Sequence, residues 1–314
     1  MSSFSNLTPV SRAEVQEDVR AMSVFLKGLY NCIVDTVQDV YWYKAYVDAI
    51  KRTSLRAKEV NAGKPITSSD DYDFLKEFIY VSDNGVASAP MSMLHKDNFE
   101  KLISDSSFLD CLNAYVKEPN ADNYDGLMAK WNEVSKANKF NFVKTKANRF
   151  AAAFNQNLST VADEGKFNEV YDWFISHNLF AGMPDFDEEK GTWFTRNERI
   201  ISLLRKVFDE ELRSGETDET WLSMFVWYLW ERFVSNPYRI KKQVVKYGPP
   251  GTGKTYTAKR DANREIAIWK ADFNVDDEQF SAEHLCMTVQ FHPSFGYEDF
   301  MEGLRPVKAS LIGR

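Results

Sequence analysis

A glycine-rich turn followed by a lysine and a threonine is the part of the sequence whose residue types and spacing point to chemistry. Residues 248–255 read GPPGTGKT and match the pattern G-x-x-x-x-G-K-[ST] at every fixed position. Such a turn aims several backbone N–H groups inward, because glycine tolerates the dihedrals this requires, and the following helix adds its positive end. The pattern therefore predicts a binding site for the phosphates of a nucleoside triphosphate.

Particular residues of this turn have predicted parts. We expect Lys254 to reach the β and γ phosphates, and we expect the Thr255 hydroxyl to bind Mg²⁺, a hard cation that prefers oxygen ligands. The turn does not distinguish ATP from GTP, because its contacts are with phosphates and not with the base. The full predicted nucleotide-binding set is Gly248, Pro249, Pro250, Gly251, Thr252, Gly253, Lys254, Thr255 and Tyr256.

The segments around the turn have the order expected for the start of a parallel α/β sheet. QVVKY at 243–247 predicts a strand before the turn, and TYTAKRDANREIA predicts a helix after it. CMTVQF at 286–291 predicts a second strand, which a short amphipathic helix follows. We therefore predict that residues 238–314 form the first part of an α/β nucleotide-binding domain.

Upstream of residue 235 the apolar residues recur mainly at helical spacing. We predict an N-terminal helical segment at 1–62, whose first helix starts at a capping box of Ser11 and Glu14, and a mainly α-helical domain at 73–234. A linker is expected near residues 60–72, where glycine, proline and a Ser/Asp cluster break the pattern. FIYVSDNGVAS at 78–88 predicts a minor β hairpin.

Composition and length fit a globular cytoplasmic protein of two or three domains. The chain has 314 residues and a net charge of -7, so any contact with nucleic acid must use a local basic patch. The sequence has three cysteines, Cys32, Cys111 and Cys286, and they fit neither a zinc pattern nor a disulfide framework. The first twenty residues lack the apolar core of a secretory signal. The most apolar segment, WLSMFVWYLW at 221–230, is too short to span a bilayer and predicts a buried aromatic helix. We expect no membrane contact.

Two blocks of sequence together resemble the McrB branch of the AAA+ NTPases, the motor subunits of modification-dependent restriction systems. The blocks are YGPPGTGKTY at 247–256 and VQFHPSFGYEDFMEGLRP at 289–306, and the resemblance covers residues 243–314. It implies a P-loop AAA+ domain that hydrolyses NTP to drive movement along DNA. It also implies assembly into a homo-oligomeric ring, as a hexamer, with a partner nuclease subunit of the McrC type. The McrB branch is known for GTP, whereas most other AAA+ proteins use ATP.

The catalytic parts of such a domain are not found in the sequence. The eight residues after Pro306, VKASLIGR, contain no Walker B carboxylates, sensor, arginine finger or helical lid. Catalytic residues therefore stay unassigned, and we expect this chain to be an N-terminal fragment that binds a nucleotide without turning it over. We interpret His292 as a structural residue, and Glu298 and Asp299 as solvated or capping residues.

One segment of the helical region interleaves cations with aromatic residues. KWNEVSKANKFNFVKTKANRF at 130–150 could place cations on DNA phosphates while its rings stack on bases. It could equally be an amphipathic segment with buried rings and solvated lysines. On the first interpretation the DNA contacts are Lys136, Lys139, Lys144, Lys146 and Arg149.

The remaining candidates are interpreted as structural. Trp193, Phe194 and Trp227 could be imagined as a cage for a modified base, but their helical spacing favours core packing. His95 and His177 have no partner at metal-ligand spacing.

Two other functions stay compatible with the sequence. A chaperone-like AAA+ remodeller of protein complexes would share the P-loop and the ring. A non-catalytic binding module with a relic P-loop would instead place the function in the helical half. We favour the motor subunit of a McrBC-like DNA restriction system.

Overall fold

The computed structural model describes residues 23–31, 41–235, 246, 249 and 251–272, and this part of the chain is mainly α-helical. Two π-helical turns, Lys76–Tyr80 and Trp230–Val234, directly continue the third and eleventh helices. The prediction of a mainly helical region is confirmed. The helices are α1 (23–31), α2 (Tyr41–Asn61), α3 (Tyr72–Leu75), α4 (Lys96–Ser104), α5 (Ser106–Lys117), α6 (Ala121–Ala137), α7 (Lys144–Phe154), α8 (Glu164–Ser176), α9 (Trp193–Val207), α10 (Asp209–Ser214), α11 (Glu219–Leu229) and α12 (Lys254–Asp272).

Side-chain caps explain where several of these helices begin. In each case the side-chain oxygen of the residue before the helix accepts a hydrogen bond from the backbone N–H three residues later. Such a cap stabilises a helix by about 1 kcal/mol, because it satisfies an N–H that has no partner within the helix. The capping residues are Asp105, Asn120, Asp163, Thr192 and Asp218.

One hydrophobic core joins the N-terminal helices to the larger helical region. Helix α2 contacts α5 and α7, and its buried Tyr46 belongs to the same apolar cluster as Phe78 and Phe150. The connection between α2 and α3 is held in place, because Arg56 Nε lies 2.7 Å from Asp71 Oδ1 and its Nη1 donates to the Lys64 carbonyl at 2.9 Å. The described parts of 1–62 and 73–234 therefore pack as one body, with the predicted linker fastened to α2.

The predicted hairpin at 78–88 is wrong. Its first residues lie in the π-helical turn, where Phe78 and Ile79 are fully buried. The described residues contain only a single antiparallel bridge, between Asp83 and Ser88. Carbonyls that a β ladder would use instead accept hydrogen bonds from side chains of α7, Arg149 among them.

Several predictions of secondary structure lie outside the described residues. They are the first helix with its cap at Ser11, the strand at 286–291 and the helix after it; of the strand at 243–247 only Lys246 is described. The α/β character of residues 238–314 therefore stays a prediction.

Helix α11 confirms the prediction of a buried, aromatic-rich helix at 221–230. Leu222, Met224 and Leu229 have no exposed surface, while Trp221 and Trp227 are half-buried. None of the described helices combines the length and apolarity needed to cross a membrane.

Buried tyrosines are expected to make the fold sensitive to alkaline pH. Burial raises the pKa of Tyr43, Tyr171 and Tyr228 to about 12, from 10.0 for a free tyrosine. Because the folded pKa lies above the unfolded one, this stabilisation is complete below pH 10 and is lost as the pH rises towards 12. Lys146 has the opposite effect on stability. Burial lowers its pKa to about 8, from 10.5 for a free lysine, so its contribution to the free energy of unfolding rises between pH 8 and 10.5.

We therefore expect the free energy of unfolding, measured by urea titration, to fall above pH 10. Ultraviolet absorbance of tyrosinate in the folded protein provides the control. Complete ionisation of all tyrosines near pH 10 without unfolding would contradict the expected result.

Candidate nucleotide-binding loop

The described part of the glycine-rich turn leads directly into α12. Gly251 and Gly253 have φ angles of +77° and +73°, in the left-handed region that other residues rarely adopt. A Cβ atom added at either position would meet nothing within 4 Å. Backbone conformation, and not crowding within the protein, is therefore what requires glycine at these two positions.

The Lys254 side chain folds back over this turn. Its Nζ donates to the Pro249 carbonyl at 2.5 Å and lies 3.3 Å from Thr252 Oγ1. Thr252 Oγ1 in turn donates to the same Pro249 carbonyl at 2.9 Å. The ammonium group thus lies at the turn itself, where anionic oxygens could replace the carbonyl and the hydroxyl as its acceptors.

Helix α12 begins at Lys254 and continues for 19 residues. The first turn of a helix carries N–H groups without intrahelical acceptors and the positive end of the helix dipole, an arrangement that binds anions. Thr255 and Tyr256 occupy this first turn, and Tyr256 is 72% exposed. The assignments of Thr255 to Mg²⁺ and of Tyr256 to the nucleotide stay predictions, and Gly248 and Pro250 lie outside the described residues.

An ion pair joins the chain before the turn to the helix after it. Lys246 Nζ contacts Asp261 Oδ2, and the Asp261 side chain is only 9% exposed. Sequence reasoning did not single out Asp261; the only signal was its position two helical turns after Lys254, on the same face of α12.

The structure divides the five predicted DNA contacts into two groups. Lys136, Lys139 and Lys144 are exposed, and Lys144 Nζ lies 2.7 Å from Glu164 Oε2. Lys146 and Arg149 are 2% and 0% exposed, so they are not available to DNA phosphates. For these two residues the prediction of DNA contact is corrected.

The two buried cations bind backbone carbonyls of the turn that follows α3. Arg149 Nη1 donates to Ser82 O at 2.9 Å and Nη2 donates to Val81 O at 2.8 Å. Lys146 Nζ donates to Tyr80 O and, at 3.0 Å, to Val81 O. The cations thus satisfy carbonyls at the C-terminal end of the π-helical turn, which also carries the negative end of the helix dipole.

Burial affects the ionisation of both groups. It lowers the pKa of Arg149 to about 10, and burial together with the positive charge of Arg149 lowers the pKa of Lys146 to about 8. Both therefore remain largely protonated at neutral pH, and their role is structural.

Most of the aromatic residues of the two candidate sites are also in the core. Trp193 and Phe194 are 2% and 0% exposed, which confirms core packing. Trp131 and Phe150, from the predicted DNA segment, are fully buried. Trp227 is different, because it is half-buried and Lys166 Nζ lies 4.8 Å from its ring centroid.

The two histidines considered as metal ligands, His95 and His177, lie at the ends of different helices. The His177 Nδ1 lies 2.9 Å from the Trp173 carbonyl, and His95 is exposed at the start of α4. Within the described ranges, no three His, Cys, Asp or Glu side chains form a group that could hold a metal ion.

The described turn has two left-handed glycines and a lysine at the start of a long helix, features that anion-binding loops share. A relative carries part of this sequence: the type IV methyl-directed restriction enzyme EcoKMcrB subunit of Escherichia coli (strain K12) is 42% identical over 67 residues. The matched stretch makes up 21% of this chain and 12% of the relative. No family model matches the chain, and no solved structure matches it. The match supports a relationship to McrB over about a fifth of the chain.

Proposed function

We propose that this chain binds ATP or GTP at residues 248–256, as the nucleotide-binding part of a McrB-like motor NTPase. The observation that carries the proposal is the position of the Lys254 ammonium over a turn whose two described glycines both have left-handed backbones. A triphosphate would bring acceptors for that ammonium and for the N–H groups of the first turn of α12.

The metal belongs to the same proposal. Mg²⁺ would bridge the phosphates and the Thr255 hydroxyl, since an exposed hydroxyl one residue after the lysine is the ligand such loops supply. The ion would neutralise phosphate charge, so binding of the nucleotide should be tighter with Mg²⁺ than with a chelator.

The match to the EcoKMcrB subunit and the QFHPSFGYEDF block support the wider assignment to a DNA restriction system. In that role the chain would act in a homo-oligomeric ring with a McrC-like nuclease subunit and would move on DNA. The short match means that these partners rest on resemblance, whereas nucleotide binding also rests on the geometry of the loop.

Equilibrium dialysis with labelled ATP and GTP, with and without Mg²⁺, tests the proposal. We expect saturable binding of at least one nucleotide at one site per chain. Binding is the appropriate measurement because the described residues of the loop bear on the retention of phosphates. The absence of saturable binding of either nucleotide would contradict the assignment.

DNA binding by the helical region is a separate proposal that rests on the exposed lysines alone. Substitution of Lys136, Lys139 and Lys144 by Glu is expected to weaken DNA binding, because phosphates that these lysines neutralise would regain their counterions. The slope of log K against log[salt] should fall in magnitude by about 0.9 for each such phosphate. Fluorescence anisotropy with labelled duplex DNA measures both quantities.

The matched control substitutes Lys58, Lys64 and Lys101, also exposed, by Glu, which changes the net charge equally. An equal loss of DNA binding in the two variants would show an effect of net charge only. Lys146 and Arg149 are left out of the test, since replacement of a buried cation would perturb the fold.

A further inference from the structure

The ion pair between Lys246 and Asp261 is partly buried. The Asp261 side chain is 9% exposed and the Lys246 side chain is 29% exposed. Arg260 Nε also lies 4.0 Å from the other carboxylate oxygen of Asp261, but the Arg260 side chain is 47% exposed. A carboxylate is seldom buried to this extent without a cation beside it, because loss of its hydration is costly. Water and salt screen such a pair less than they screen a pair on the surface.

The pair lies on the side of α12 that carries Lys254. Asp261 follows Lys254 by seven residues, which in an α-helix is about two turns and about 10 Å along the axis. Lys246 precedes the first glycine of the turn, Gly248, by two residues. The turn is therefore joined to α12 twice, by the chain itself at Lys254 and by the ion pair at Lys246.

Hydrogen bonds within the turn have a shorter reach than this pair. Lys254 Nζ donates to Pro249 O at 2.5 Å, five residues away, and Thr257 Oγ1 donates to Gly253 O at 3.1 Å, four residues away. Lys246 and Asp261 are fifteen residues apart. The short-range bonds fix the shape of the turn, whereas the ion pair fixes the chain that enters the turn relative to α12.

We propose that Lys246 and Asp261 are positioning residues for phosphate binding, an inference that rests on the proposed function of residues 248–256. The pair holds the turn in the orientation in which the Lys254 ammonium and the first N–H groups of α12 meet the same phosphates. Both residues act through the turn and not by contact with the nucleotide. A site whose groups are in place before the ligand arrives loses less binding free energy to ordering.

Equilibrium dialysis of the 314-residue chain with labelled ATP and GTP in the presence of Mg²⁺ tests the inference. We expect Lys246→Met and Asp261→Asn each to weaken binding about tenfold, within the range of coupling found between residues in contact. Lys246→Arg keeps a cation beside Asp261 and should bind within about twofold of the unchanged protein. Lys259→Met is the matched control, since it removes an exposed lysine of α12 with the same change in net charge and should also bind within about twofold.

Asp261→Asn separates positioning from a simple effect of charge. This variant breaks the ion pair but also removes a negative charge from the helix that the phosphates approach, so weaker binding is the result expected from positioning. Unchanged binding by Asp261→Asn, with a loss in Lys246→Met only, would show that Lys246 merely offsets the Asp261 charge and would overturn the inference.

Circular dichroism at the temperature of the dialysis shows whether each variant is folded. If one of the two variants loses helical signal, the other decides; loss in both would assign the pair to stability alone and overturn the inference. Binding of nucleotide by both variants as tightly as by the unchanged protein would overturn it too. The absence of saturable binding by the unchanged protein would instead contradict the assignment of the loop itself.

Discussion

Replacement of Lys254 by alanine is expected to weaken triphosphate binding about a hundredfold or more, equivalent to about 2.7 kcal/mol, because the loop loses its only described ammonium. The fold should be unaffected, since the hydrogen bonds of the Lys254 Nζ to Pro249 and Thr252 lie within the loop. Equilibrium dialysis with labelled ATP and GTP measures the first effect, and thermal unfolding checks the second.

Lys259→Ala is the matched control for this experiment. Lys259 lies on the same helix, five residues on, and is exposed. We expect this variant to bind nucleotide almost as the unchanged protein does. Equal binding by the Lys254 variant and the unchanged protein would show that the phosphates do not lie in this loop.

Replacement of Arg149 by methionine is expected to destabilise the helical region by about 3 kcal/mol or more, since loss of a fully buried guanidinium removes its hydrogen bonds to several backbone carbonyls. The affected carbonyls include Val81 O and Ser82 O, which accept at 2.8 and 2.9 Å. Urea unfolding followed by circular dichroism measures the change.

Two further variants identify the cause. Lys144→Met removes an exposed cation from the same helix and should change stability by no more than about 0.5 kcal/mol. Arg149→Lys keeps the charge but not the planar set of donors, so it should be destabilised too. A change of less than about 1 kcal/mol in Arg149→Met, or full stability in Arg149→Lys, would contradict the role of the hydrogen bonds.

Local sequence determined the features that depend on neighbouring residues. Apolar spacing predicted the helical region, and Gly251 and Gly253 predicted a turn with unusual dihedrals before a helix at Lys254. Helical spacing also predicted that Trp193 and Phe194 are in the core. In each case the physical cause is backbone conformation or one-sided burial, which a short window of sequence contains.

Tertiary structure decided the fate of the cations at 146 and 149. In sequence they are indistinguishable from exposed Lys139 and Lys144, because each belongs to the same alternation of basic and aromatic residues. Their partners are carbonyls about 65–70 residues earlier, at 79–82, so no local pattern indicates their burial.

The same long-range contact changed the outcome at 78–88. An apolar run with a D-N-G turn is typical of a hairpin, but the carbonyls of this segment are bound by Arg149 and Lys146 and its first residues continue a helix. The sequence by itself thus determined the helical class and the phosphate-loop signature. Only the folded chain decided which charged and aromatic residues face solvent, because burial depends on elements that are distant in sequence.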